Sequence, residues 1–343
     1  MNDITVENIA GNTDGILPVK KPVRKFITVK ELLLLLLPPA TMLAALNIHM
    51  ALPNVYPVGY KPVVYPLFLE SCLAVYLVLT LLAGFIPRLR KKMLYLTGLL
   101  SVAFILIEVL DIATLKTGKL MLPFVPSPDK IIYSFTHNLG KVAESFVASI
   151  KLLFTGLFFG TLAGAISGIL IGWSKHCNYW LSPVLKILGP VPSAAWLPIA
   201  VVLFPTNHAA SVFIIALSVW FPLTVTLSSG IMSTNKSWIE AARILGASEW
   251  YILFHVAIPA ALPTAFIGMF MGLGLSFTAL IVAEMLGVKA GLGWYISWAQ
   301  AWGEYARIFS TVMIFSIIFC SLISLLFKLR DHLLKWQKGS MRW

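Results

Sequence analysis

Eight apolar segments of about 20 residues or more dominate the sequence and limit what the chain can fold into. A hydrocarbon core about 30 Å thick is crossed by about 20 helical residues, because each residue adds about 1.5 Å. Of all residues, 59% are hydrophobic and only 12% are charged, whereas soluble domains have about 25% charged residues. The sequence therefore predicts an all-α polytopic membrane protein. The predicted spans are 31–51, 64–86, 93–114, 144–172, 180–204, 209–231, 256–285 and 307–328.

Lysine and arginine residues cluster at alternate ends of these spans. If the N-terminus is cytoplasmic, 18 of the 26 lie on the cytoplasmic side and eight on the outer side. Cytoplasmic loops of membrane proteins carry such an excess, so we predict that both termini are cytoplasmic and that the number of spans is even. The net charge of +12 then reflects topology, and no nucleic-acid partner is expected.

The sequence shows no recognisable catalytic or metal-binding motif. Its three cysteines lie in separate segments without metal-ligand spacing, and neither H-E-x-x-H nor G-x-S-x-G occurs. A phosphate loop, G-x4-G-K-[ST], is also missing, since the nearest string, at 168–175, has these residues in the wrong order. We therefore predict no catalytic residue, no metal site and no cofactor on this chain.

Glycines recur every four residues along the fourth predicted span, from Gly156 to Gly172, and the pair Gly268 and Gly272 repeats the spacing on the seventh. Residues four apart share one helix face, and small residues there let another backbone approach closely. A single such pair could simply reflect the tolerance of membrane helices for glycine. The run of five predicts a helix–helix contact.

A polar segment at 236–251 separates the sixth and seventh predicted spans. Ser237 and Glu240 have the spacing of a capping box, which predicts a helix start, and Gly246 is placed to end that helix. Ser248 is a suitable cap for a second short helix. We therefore predict a helical hairpin on the cytoplasmic surface. Its small and apolar positions are Ala241, Ala242, Trp238, Ile244 and Leu245.

The same segment carries a family resemblance. Glu240-Ala-Ala242, Gly246 and Val256-Ala-Ile-Pro259 resemble the EAA signature, E-A-A-x3-G-x9-I-x-L-P, of permease subunits in binding-protein-dependent ABC importers. The resemblance covers about residues 90–330. Further stretches resemble the branch that imports nitrate, taurine and aliphatic sulfonates, namely Leu122–Pro128, Pro190–Pro198, Val282–Gly287 and Gly291–Gly293.

This resemblance implies a type I importer fold in the bacterial inner membrane. Two permease copies would form the pathway, an extracytoplasmic binding protein would deliver the substrate, and two separate ATPase subunits would hold ATP and Mg. The EAA helix would be the coupling helix, with Glu240 meeting the ATPase and Gly246 setting the angle between the two short helices. The implied coupling residues are Trp238, Glu240, Ala241, Ala242, Arg243 and Gly246.

The resemblance also divides the chain. Residues 1–30 would be a basic cytoplasmic tail, 31–90 two appended transmembrane helices, 91–328 a six-helix permease core containing the EAA loop at 236–251, and 329–343 a second basic cytoplasmic tail. The two appended helices carry no motif of their own and are expected to contact lipid or the permease core.

Polar residues on the fifth to seventh spans are the candidates for the pathway, because the family resemblance implies that these helices line the dimer axis. Hydroxyls and indole N–H groups can donate hydrogen bonds to an oxyanion. The alternative is that they only join helices. For Glu284, in the family-like Ala-Glu pair, an outer-gate role and a packing role both remain open. The candidates are Trp196, Ser218, Trp220, Thr224, Ser276, Thr278 and Glu284.

The predicted cargo is a small anion such as a sulfonate, taurine or nitrate, with a vitamin precursor or other small heterocycle as the alternative within the same importer class. A different class of protein, an ion-coupled secondary transporter, would need coupling carboxylates at mid-membrane. Glu70 is the deepest acidic candidate for that role, and it lies outside the family-like core.

Overall fold

The computed structural model describes residues 28–55 and 63–335. The predicted basic tails, 1–30 and 329–343, therefore lie partly outside the described residues, at 1–27 and 336–343. Within the described ranges the chain forms α-helices joined by short turns and no strand. Seven continuous helical segments are long and apolar enough to cross a membrane, or up to eight if one bent pair is counted as a span. The predicted all-α polytopic fold is confirmed.

The helices are named in chain order. Their bounds are α1 Val29–Ala51, α2 Val64–Phe85, α3 Pro87–Asp111, α4 Pro128–His137, α5 Leu139–Trp173, α6 Lys175–Leu188, α7 Leu197–Leu203, α8 Asn207–Met232, α9 Lys236–Ile244, α10 Glu249–Ile252, α11 Ile258–Leu286, α12 Leu292–Ala301 and α13 Tyr305–Leu333.

The described chain divides into two compact units. The first contains 28–51 and 68–108, and the second contains 52–55, 63–67 and 109–335. In the first unit Thr28 and Glu31 form a reciprocal capping box at the start of α1, with N–O distances of 3.1 and 3.4 Å. The predicted domain boundary at residue 90 stays a prediction.

The fifth predicted span, 180–204, is wrong as a single helix. The structure has α6 and then a second helical segment, Ser193–Leu203, bent from it by 88°. Pro190 and Pro192 interrupt the chain between them. Because proline has no N–H and clashes with the preceding helical turn, two prolines so close together end one helix and redirect the next.

The glycine face of α5 packs against α8, as its spacing predicts. Each of its five glycines faces α8, and a Cβ added at Gly160 would lie 2.5 Å from the Ala216 carbonyl oxygen. Gly268 and Gly272 of α11 also approach the α8 backbone, where added Cβ atoms would lie 2.9 Å from Leu223 Cα and 3.0 Å from Val219 Cα. Helix α8 therefore packs closely against both α5 and α11, and this three-helix layer forms the centre of the second unit.

An apolar core fills the end of this layer that is remote from the 236–251 hairpin. It is built from α5, α7, α8, α11, α12 and α13. Its fully buried members include Leu153, Leu197, Ile214, Leu280 and Leu292.

Candidate functional site

Asn235 caps the first helix of the hairpin, and the capping box predicted at Ser237 and Glu240 is wrong. The Asn235 side-chain oxygen accepts a hydrogen bond from the Ser237 N–H at 2.9 Å. Asparagine is as good an N-cap as serine, and it stands two residues earlier. Ser237 is thereby placed inside the first turn, and Glu240 is left without a capping role on an exposed surface.

The end of α9 is as predicted, with Gly246 stopping the helix. Gly246 has φ +82°, a left-handed conformation that glycine adopts without a steric penalty. Its N–H donates to the Arg243 carbonyl at 2.9 Å, and the Ala247 N–H donates to the Ala242 carbonyl at 3.0 Å. These two bonds are the Schellman pattern, so the turn is hydrogen-bonded.

The second helix also starts where it was predicted. The Ser248 hydroxyl accepts from the Tyr251 N–H at 3.3 Å. Helix α10 does not end in a loop, because a π-helical turn, Leu253–Ala257, carries it directly into α11. Pro259 has no N–H to give to the carbonyl four residues earlier, which favours the wider turn at this place. The hairpin is therefore continuous with a transmembrane helix on its C-terminal side.

An ion pair connects the two short helices across the Gly246 turn. The Arg243 guanidinium donates from Nε to Glu249 Oε1 at 3.0 Å and from Nη2 to Oε2 at 3.3 Å. Such a two-bond fork constrains the angle between its partners better than a single contact does. Both side chains remain more than half exposed.

Reversing one charge of this pair, Arg243→Glu, is expected to lower the free energy of unfolding by about 1 kcal/mol or less, because exposed pairs are screened by water and salt. The double variant Arg243→Glu/Glu249→Arg should regain the loss, and high salt should shrink the difference. Thermal unfolding of the purified protein at low and high salt measures both effects. A loss that persists in the double variant would mean that the pair does not act through charge.

The hairpin exposes large apolar side chains. Trp238 is 58% exposed, and Ile244 and Leu245 are each 86% exposed. Glu240 and Arg243 line a cavity of about 380 Å³ between the hairpin and the ends of α5 and α8. The implied coupling residues thus lie together on one short, capped and exposed element.

Most of the candidate pathway hydroxyls are engaged within the helix layer. Ser218, Thr224 and Ser276 are buried and donate to carbonyls of their own helices. The Ser218 and Ser193 hydroxyls lie 2.6 Å apart, and Thr278 is exposed on α11.

Two tryptophans differ in how their indole N–H groups are satisfied. The Trp220 N–H donates to Ser167 on α5 at 3.0 Å, and Ser167 is 2.7 Å from the Thr224 hydroxyl. Within the described residues the buried Trp196 N–H has no acceptor. Trp196 is therefore the candidate whose unused donor is buried, and the pathway role of the whole set stays a prediction.

Glu284 holds the start of α12. Its carboxylate is fully buried and accepts from the Gly293 N–H at 2.8 Å. The adjacent Leu292 N–H donates to the hydroxyl of Ser149, which is on α5, also at 2.8 Å. The first N–H groups of a helix have no partner within the helix, so side chains from two spans supply acceptors for α12.

Two glycines make room for that carboxylate. A Cβ at Gly291 would lie 2.5 Å from the Glu284 carboxyl carbon, and one at Gly293 would lie 2.8 Å from Glu284 Cβ. The Ala-Glu and Gly-Leu-Gly stretches singled out in the sequence therefore meet at one place.

The family profile described as "Binding-protein-dependent transport system inner membrane component" matches residues 156–337. The chain belongs to this family. The matched segment contains the hairpin and all the residues around Glu284 except Ser149.

Similar curated proteins are transport permeases. The chain is 28% identical over 154 residues to the taurine transport system permease protein TauC of Escherichia coli, which covers 43% of this chain and 56% of that protein. It is 31% identical over 135 residues to the nitrate import permease protein NrtB of Leptolyngbya laminosa (38% and 48%). It is 30% identical over 133 residues to the bicarbonate transport system permease protein CmpB of Synechococcus elongatus (38% and 48%). The chain thus spans about half the length of these relatives.

For this permease-family chain, the sequence pointed to the hairpin and to Glu284 but missed two supporting residues. Asparagine is a strong N-cap type, so Asn235, at the start of the polar segment, could have been recognised from the sequence as the cap of the first hairpin helix. Ser149 lies 143 residues before its hydrogen-bond partner Leu292, and no local pattern marks such a contact.

Proposed function

We propose that this chain is the permease subunit of an ABC importer, working as a homodimer with separate ATPase subunits and an extracytoplasmic binding protein. The observation that carries the proposal is the hairpin at 236–251, which is capped at both helix starts, closed by a Schellman turn and continuous with α11. A short stiff element of this kind can move as a rigid body and transmit that movement to a transmembrane helix.

The chemistry of the hairpin suits a protein partner on the cytoplasmic side. It combines exposed aromatic and aliphatic side chains with charged neighbours, which is the composition of an interface centre with a polar rim. ATP and Mg would be held by the docked ATPase, in keeping with the absence of a phosphate loop from the sequence.

The proposed cargo is a small anion, and the taurine, nitrate and bicarbonate permeases among the relatives favour it. A heterocyclic vitamin precursor remains the alternative within the same importer class. The ion-coupled transporter has less support, because Glu70 is exposed on α2 and Glu284 is occupied by the α12 backbone.

Charge reversal at Glu240 and loss of the turn at Gly246 are expected to release the ATPase. Glu240→Arg puts a cation where a carboxylate is proposed to meet the partner, and Gly246→Asp introduces a side chain at φ +82°. We expect the ATPase retained by the tagged chain to fall about tenfold or more, as for the loss of an interface hot spot. Co-purification of the tagged chain with ABC ATPase subunits co-expressed from its own host, followed by ATP hydrolysis in lipid discs, measures this.

The matched control is Glu144→Arg, the same charge reversal at an exposed position near the opposite end of α5. This variant should retain the ATPase as the wild type does. If folded wild type retains no ATPase, or if all three variants retain it equally, the hairpin is not a coupling element and the importer proposal is wrong.

A further inference from the structure

A basic cleft lies at the end of the α5–α8–α11 layer that is opposite the hairpin. It has a volume of about 550 Å³, within the roughly 300–1,000 Å³ typical of small-molecule sites. Its lining comes from α5, from the start of α8 and from the turn after α11. The lining residues are Ala148, Lys151, Leu152, Asn207, His208, Gly287, Val288, Lys289 and Ala290.

All the charged side chains of this cleft are basic. Lys151 and Lys289 both line it, and neither ammonium has an ion-pair or hydrogen-bond partner among the described residues. No carboxylate is part of the lining. Glu144 lines a separate, smaller cavity that Lys289 also borders. Two unpaired cations that share one concave surface create a positive potential that attracts anions.

The start of α8 adds hydrogen-bond donors to the same cleft. Asn207 and His208 are the first two residues of this 26-residue helix, and a helix N-terminus favours a negative charge. The Thr206 hydroxyl accepts from the Ala209 N–H at 3.2 Å, which orders the turn next to the cleft. The donors here reinforce the two ammonium groups.

The rest of the cleft lining is mostly apolar. Ala148, Leu152 and Val288 form it, and Gly287 lets the turn after α11 pass close to α8, since a Cβ there would lie 3.3 Å from the Ser211 hydroxyl oxygen. A cleft lined by both cations and short apolar side chains fits an oxyanion that is small or carries a short carbon chain.

We propose that the cleft formed by Lys151, Lys289, Asn207 and His208 is a binding site for a small dissolved oxyanion, such as a sulfonate or nitrate, at the outer opening of the transport layer. The assignment as an outer site rests on the proposed function, because that function places the opposite end, the hairpin, in the cytoplasm. The same oxyanion chemistry occurs in an anionic phospholipid headgroup, so the test separates the two sources.

The experiment is lysine footprinting of the wild-type chain in lipid discs. An amine-reactive acylating reagent modifies exposed lysines, and peptide mass spectrometry gives the acylation rate at each one. The rates are compared with ethanesulfonate, with nitrate and with chloride at equal ionic strength, in discs of neutral phospholipid alone and in discs that also contain phosphatidylglycerol. Lys119 is the internal control, since it is also exposed and lines neither basic cavity.

In neutral discs, ethanesulfonate or nitrate is expected to slow acylation of Lys151 and Lys289 together, relative to chloride, and to leave Lys119 unchanged. In the Lys151→Gln variant, protecting Lys289 should require about tenfold more anion, because the lost hydrogen bond is a strong one made by a charged group. The variant Lys119→Gln should leave it unchanged.

The proposal would be overturned if ethanesulfonate and nitrate changed the acylation rates of Lys151, Lys289 and Lys119 equally. Protection seen only in discs with phosphatidylglycerol would also overturn it, because it would assign the cleft to lipid headgroups. Co-purification of the ATPase with the same wild-type preparation keeps the two proposals separate. ATPase retained without anion protection would contradict only the cleft, and anion protection without a bound ATPase would contradict only the importer function.

Discussion

Gly160→Ala is expected to lower the free energy of unfolding by about 3 kcal/mol, the upper part of the range for overpacked cores. The added methyl group would lie 2.5 Å from the Ala216 carbonyl oxygen and 2.9 Å from the Ala216 Cα. Both atoms are α8 backbone, so no side-chain rotation can relieve the overlap. The helices must move apart, and the contacts on either side of Gly160 are lost with them.

Two other glycines of α5 provide comparison variants with smaller expected losses of stability. The three atoms nearest to a Cβ at Gly164 all belong to the Leu223 side chain, at 3.1 to 3.2 Å, so Gly164→Ala should cost clearly less than Gly160→Ala. At Gly140 nothing lies within 4 Å, and alanine is the better helix former, so Gly140→Ala should be neutral or slightly stabilising. Thermal unfolding of the purified protein in detergent ranks the three. Equal stability of Gly160→Ala and Gly140→Ala would show that the close α5–α8 contact does not exist.

The sequence predicted the close contact made by the glycine face of α5, and the reason is physical. A span is set by the length of an apolar run, and a glycine face by residues four apart, so both are local properties. The same holds for Gly246 and Ser248, because caps act within one helical turn. Asn235 belongs to this class too, because an N-cap acts within one turn, and it caps α9 in place of the capping box predicted two residues later.

The features that the sequence did not predict depend on distant contacts. Two prolines show that the 180–204 segment is interrupted, but an 88° bend depends on what each half packs against. Glu284 was expected either at an outer gate or in packing, and only the folded chain brings Ser149 and Glu284 to adjacent N–H groups of α12. The basic cleft likewise combines three segments separated along the sequence.

The contact between Glu284 and Gly291 should give the second large effect. Gly291→Ala places a methyl group 2.5 Å from the Glu284 carboxyl carbon, at a residue with φ +134°. Glu284→Ala removes the acceptor of the buried Gly293 N–H, and a lost partner of this kind costs about 1–3 kcal/mol. We expect each single variant to lower the melting temperature, because α12 loses its position against α5 and α11.

The double variant Glu284→Ala/Gly291→Ala distinguishes a direct contact from two independent defects. Removing the carboxylate removes the atoms with which the new methyl group collides, although the backbone strain at Gly291 and the unpaired Gly293 N–H persist. The double variant should therefore lose less stability than the sum of the single variants, by about 0.5–3 kcal/mol, the range for residues in contact. Glu284→Gln keeps an oxygen for the Gly293 N–H and should retain most of the stability. Additive losses, or a Gln variant as unstable as the Ala variant, would contradict the role of Glu284 as the acceptor that positions α12.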